Sequence, residues 1–113
     1  MKLSEVKETI SATVLAGEEN LNREVMSACG SDLMSDVLAF VKDQALLLTG
    51  LVNSQVIRTA EMMDMKAVVF VRGKVPSKEI IELAQEANIV LMTTEMPLYL
   101  TCGVLYSKGL YKE

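Results

Sequence analysis

Four apolar runs in this chain each end in a small or polar turn and pass at once into a helix-start pattern. Met26-Ser27-Ala28-Cys29 leads into Gly30-Ser31-Asp32, and Ala45-Leu46-Leu47-Leu48 into Thr49-Gly50. Ala67-Val68-Val69-Phe70-Val71 leads into Arg72-Gly73-Lys74, and Ile89-Val90-Leu91-Met92 into Thr93-Thr94. Repetition of strand, tight turn and helix predicts an α/β fold with a parallel sheet. A parallel sheet gathers the turns that follow its strands along one edge, where open α/β sheets bind ligands. The pattern therefore locates a candidate site before it identifies a ligand.

The elements between these turns follow from periodicity. Leu3, Val6 and Ile10 share a helical face, so a short helix is expected over 4–11 with Ser4 as N-cap. Strands are expected over 13–16 and 24–29, separated by a polar loop at 18–23. Leu33, Met34, Val37, Leu38 and Val41 form a stripe that predicts a helix capped by Ser31. The apolar run 45–48 suits a strand covered on both faces. Asn53 is the expected cap of a helix to about 64, with Val56, Ile57 and Ala60 inward. The segment 66–71 is β-branched and aromatic, the strongest strand signal in the chain. A helix opens at Val75-Pro76-Ser77 and runs to Ala87, packing through Ile80, Ile81, Leu83 and Ala84. A last strand at 89–92 precedes a helix from Thr94 or Met96 to about Ser107, with Pro97 tolerated in its first turn. Five strands and five helices in alternation predict a single domain over 1–113. Its architecture is a three-layer α/β/α sandwich with a mostly parallel sheet of about five strands.

Composition excludes several function classes. The formal charge is −4 and no basic cluster appears, which argues against nucleic acid and against an anionic membrane surface as partners. The chain has no His, so the commonest general base and metal ligand are missing. Cys29 and Cys102 are far apart and make no Cys-x-x-Cys pair; free buried thiols in a reducing cytoplasm are the expectation. Met1 to Ile10 is charged and amphipathic, so no leader is expected. No apolar stretch approaches the ~20 residues of a membrane span. Aromatics are 4% with no Trp, so Val, Ile, Leu, Ala and Met must build the core. The eight methionines read either as adaptable core filling or as a soft contact surface.

Each turn carries a bland reading beside a functional one. Gly30-Ser31-Asp32 reads as an anion-binding turn, with Asp32 on a ribose hydroxyl or a metal, or as a tight turn with a helix cap. Thr49-Gly50 reads as a hydroxyl and a close-approach Gly beside a phosphate, or as a turn relieved of steric strain. Arg72-Gly73-Lys74 places two cations for an anionic ligand, or is a solvated turn. Thr93-Thr94 reads mainly as a cap. Asp32 and Arg72 could also pair with each other. No phosphate-binding P-loop and no Gly-x-Gly-x-x-Gly is present.

The stretches Gly30–Ala39, Ala45–Leu51 and Val68–Pro76 resemble the DRTGG domain, and also the amino-terminal domain of HPr kinase/phosphorylase, from about residue 12 to 107. Two positions depart from the family pattern: Leu33 stands where the family has Arg, and Leu51 where it has its second Gly. The resemblance implies a regulatory or interaction module without catalysis, associated with dimerisation. The kinase relatives carry their P-loop in a separate domain.

The expectation is thus a cytoplasmic, non-catalytic regulatory module that forms a homodimer. Its expected ligand is a small anionic metabolite or nucleotide, held at the rim by Gly30, Ser31, Asp32, Thr49, Gly50, Asn53, Arg72 and Lys74. No cofactor or metal is implied. The alternative is a pure protein-interaction module with a patch made of Met62, Met63, Met65, Leu98, Tyr99, Tyr106 and Tyr111. An enzyme would have to use Asp32, Asp36, Glu95 or a Cys thiolate in a perturbed environment.

Overall fold

The computed structural model describes residues 1–41 and 44–112. Its elements, in chain order, are α1 Leu3–Thr9, β1 Thr13–Ala16, a 3-10 turn Glu18–Asn20, β2 Ser27–Gly30, α2 Met34–Phe40, β3 Ala45–Thr49, α3 Ser54–Met62, β4 Ala67–Phe70, α4 Lys78–Glu86, β5 Val90–Thr93 and α5 Leu98–Ser107. One five-stranded sheet runs in the order β1-β5-β4-β3-β2. Strands β2 to β5 are parallel, and β1 joins β5 antiparallel with an irregularity between Val14 and Ala16. The expected mostly parallel α/β sandwich is present. Strict alternation is not, because β1 passes to β2 without an α-helix.

The strand order decides the layers. Successive parallel strands sit side by side and always step the same way, so right-handed crossovers must put their helices on one face. Residues of α2, α3 and α4 accordingly share one core cluster with Leu47, Val68, Phe70 and Leu91. Leu3 and Val6 of α1, Ile10 just after it and Leu105 of α5 share the other, with Leu46, Leu48, Val69 and Met92. Alternate residues of β3 and β4 thus feed opposite faces, and both strands are buried throughout. Cys29 belongs to the first cluster and Cys102 packs against the second, so the two thiols lie on opposite faces.

Several local expectations shift. The second strand starts at Ser27, not Glu24, because Glu24 bridges Lys2 and the Val25 N–H donates to the Met1 carbonyl. The first helix begins at Leu3, with Glu5 Oε1 accepting from the Lys2 N–H; Ser4 lies inside it. Ser31 does not cap α2. Its hydroxyl accepts from the Leu33 N–H at 3.0 Å, which closes a local turn and delays the helix to Met34. Asn53 and Ser77 do cap, accepting from the N–H groups of Val56 and Ile80. Among the described residues no helix is long and apolar enough to cross a membrane.

Candidate functional site

Because β2 to β5 are parallel, the turns after them stand on one rim. Asp32 follows β2, Thr49 and Gly50 close β3, and Arg72 to Lys74 follow β4. Asp32 Oδ1 accepts from the Thr49 hydroxyl at 2.9 Å and from the Gly50 N–H at 2.7 Å. Thr49 is fully buried, and its oxygen also accepts from the Leu51 N–H. Lys74 Nζ donates to the Gly50 carbonyl at 2.6 Å. Three loops therefore converge on Gly50. A methyl group there would sit 3.5 Å from both the Asp32 carboxylate and the Lys74 ammonium. That is ordinary contact distance, so a space about the size of a methyl group separates carboxylate from ammonium.

Arg72 lies in the same rim, on the turn after β4, two strand positions from Asp32. Strand spacing puts those strand ends about 10 Å apart. Among the described residues Arg72 makes no ion pair, so the alternative in which Asp32 neutralises it is not realised. The rim carries both signs: the Lys74 ammonium faces the Asp32 carboxylate across Gly50, and the Glu95 carboxylate lies against Gly73, between Arg72 and Lys74 in the chain.

In an open α/β sheet the crevice opens where successive loops diverge to opposite faces. Here that place is between β4, whose loop leads to α4, and β5, whose loop leads to α5. It is stitched shut. The Arg72 N–H donates to the Met96 carbonyl, the Gly73 N–H to the Thr94 carbonyl at 2.7 Å, and the Thr93 hydroxyl to the Lys74 carbonyl at 2.7 Å. Arg72 and Gly73 both have left-handed backbones, with φ of 59° and 68°. A Cβ at Gly73 would also run into the Glu95 carboxylate. Gly73→Ala is therefore expected to lower stability by about 1–2 kcal/mol, because an L side chain in that conformation is strained. Urea denaturation checks this; an unchanged midpoint counts against the stitched turn.

The remaining predicted residues are engaged locally. Gly30 faces α5, where a Cβ would lie 2.6 Å from Cys102 Sγ, so this Gly lets the helix approach the sheet. The Ser31 hydroxyl is held in its own turn, and the Asn53 side-chain oxygen caps α3. The structure thus brings Asp32, Thr49, Gly50 and Lys74 together, sets Arg72 nearby, and gives Gly30, Ser31 and Asn53 shaping roles. Among the described residues no group of His, Cys, Asp or Glu could hold a metal ion.

The expected apolar patch is divided. Met65 is buried, Met63 packs against the core beside α3, and Leu98 packs against the α1/α5 core. Met62, 73% exposed, projects from α3 on the face opposite α5. What remains is a contiguous face on α5. Tyr99 is 92% exposed, Leu100 and Tyr106 are exposed, and Tyr106 stacks at a tilt on Tyr111 with centroids 5.8 Å apart. Tyr99, Leu100, Gly103 and Tyr106 line an open depression of about 800 Å3. Leu100 and Gly103 were not expected there. The signal was that 98–106 is apolar on every side, which one buried face does not explain. Beneath this face burial pushes the Cys102 thiol above its usual range, which leaves it little thiolate character at neutral pH.

Residues 5–105 match the family model of the DRTGG domain. Among curated proteins none matches the chain. Among solved structures, the chain is similar to one described as the CBS and DRTGG domains of the regulatory region of Clostridium perfringens pyrophosphatase, complexed with the activator diadenosine tetraphosphate. The TM-score is 0.75 at 22% identity, over 92% of this chain and 45% of that one. The chain thus spans less than half of that structure, and the likeness is one of fold.

Proposed function

The chain belongs to the DRTGG domain family, and from that premise we propose that it is a non-catalytic regulatory module. In this reading it binds a small anionic metabolite or nucleotide at the strand-end rim and self-associates as a homodimer. The observation that carries the ligand reading is the convergence of Asp32, Thr49, Gly50 and Lys74 from three loops, with Arg72, which makes no ion pair among the described residues, on the same rim. Lys74 and Arg72 neutralise the ligand's charge, while Asp32 and Thr49 hold the loop geometry. A regulatory region with the same fold is described with a bound nucleotide activator, which supports a nucleotide as the ligand class. Two thiols on opposite sheet faces, not joined in a disulfide, suit the reducing cytoplasm.

A thermal-shift and calorimetry screen of nucleotides and phosphorylated metabolites tests this. A true ligand raises the melting temperature with concentration, reaching about 2.7 kcal/mol of stabilisation at a hundredfold excess over Kd. Arg72→Ala and Lys74→Ala should each weaken that shift. If no compound moves the melting temperature, or both variants leave the shift intact, the rim does not bind anions.

The α5 face favours a second reading, a pure interaction module with no small ligand. Exposed aromatic and apolar surface gathered on one face in this way marks protein contacts. Light scattering over a dilution series tests self-association, which belongs to the first reading too: a monomer at every concentration removes the homodimer, while the anion screen separates a ligand-binding module from one that only contacts proteins.

A further inference from the structure

The donor pair best suited to an anion on this rim is already occupied. The Gly50 N–H and the Thr49 hydroxyl point at one spot, and Asp32 Oδ1 fills it at 2.7 and 2.9 Å. Thr49 is fully buried and its oxygen is also fixed by the Leu51 N–H, so this donor pair cannot turn away to suit another partner. Asp32 itself is exposed, and among the described residues no cation lies within ion-pair distance of it. Its carboxylate can therefore leave for water at little penalty, whereas the fully buried Thr49 hydroxyl cannot. The Lys74 ammonium waits across Gly50, within reach of any oxyanion that took the carboxylate's place.

We propose that Asp32 is a tethered anion plugging an oxyanion site built from Thr49, Gly50 and Lys74, and that a ligand's phosphate group enters by displacing it. The idea rests on the rim reading above and deepens it. The plug sets selectivity: a bare inorganic anion must compete with a carboxylate held at high effective concentration, while a larger ligand adds contacts elsewhere on the rim. It also supplies a relay. Asp32 lies two residues before α2, so its release frees the turn that sets where α2 begins.

Titration calorimetry with inorganic phosphate tests the plug directly, using the wild type, Asp32→Ala, Asp32→Asn and Asp32→Ala/Lys74→Ala. The wild type should show no saturable phosphate binding. Asp32→Ala should bind phosphate ~tenfold tighter or more, since the vacated site offers charge-assisted hydrogen bonds. Adding Lys74→Ala should abolish that gain. Asp32→Asn keeps an acceptor for both donors, so it should fold like the wild type and bind phosphate with intermediate affinity. It decides the matter if Asp32→Ala does not fold. The proposal is overturned if the folded variants bind phosphate no better than the wild type, if the wild type already binds as tightly, or if the gain survives loss of Lys74. Failure of the rim reading looks different: no nucleotide or metabolite shifts the wild type, whatever the variants do with phosphate.

Discussion

Phe70→Ala is expected to destabilise the fold by about 3–5 kcal/mol, the range for truncating a fully enclosed aromatic. Phe70 has no solvent exposure and ends β4, the central strand of the sheet. It belongs to the cluster that holds Val56, Ile57 and Ile80, so its ring sits where α3 and α4 meet the sheet. Domains are stable by only about 5–15 kcal/mol, so this loss removes a large fraction of the total. The effect reaches the rim, because the Phe70 carbonyl accepts from the Thr94 N–H and the Arg72 turn begins two residues later. Urea denaturation of Phe70→Ala beside Met62→Ala makes the comparison internal. Met62 is mostly exposed, so its truncation should move the midpoint little. A loss below about 1 kcal/mol at Phe70 would contradict its place at the centre of the core.

The sheet was legible because its central strands are unusually plain. Residues 45–48 and 67–71 are apolar without alternation, which in a chain this short only a strand covered on both faces explains. The rim was legible for the same reason: whichever order the strands take, parallel strands end together. Local propensity says nothing about order itself, nor about β1 turning antiparallel against β5, because both are settled by which faces remain to be covered. The Ser31 cap failed since Ser serves a tight turn as readily as a helix end, and the choice depends on where Asp32 is pulled. That pull comes from Thr49 and Gly50, 17 and 18 residues away, and no spacing rule reports it. Hence eight site residues could be named, but not which donors already have partners. The Met and Tyr patch divided because Met62 and Tyr99 sit on helices of opposite layers, a distinction the sequence carries only through strand order.

Asp32→Ala should lower stability by about 2–3 kcal/mol, a large effect for an exposed side chain. The loss comes less from the carboxylate than from what it leaves behind. The Thr49 hydroxyl, fully buried, is left without its acceptor, and a buried donor without a partner costs about 1–3 kcal/mol, while the exposed Gly50 N–H gives up a charge-assisted bond for one to water. Asp32→Asn retains an oxygen for both donors and should cost about 1 kcal/mol, the difference between a charged and a neutral acceptor. Since among the described residues no cation pairs with Asp32, added salt should barely change either value. A double-mutant cycle separates orphaned donors from lost charge. Thr49→Val deletes the hydroxyl and with it the acceptor of the Leu51 N–H, so in the Asp32→Ala background it should keep only the cost of that lost bond, whereas alone it should also lose the Asp32 contact. The coupling between the two should reach about 1–2 kcal/mol. Additive losses in that cycle would mean that Asp32 and Thr49 act independently, and the turn after β2 would then be held by something other than the end of β3.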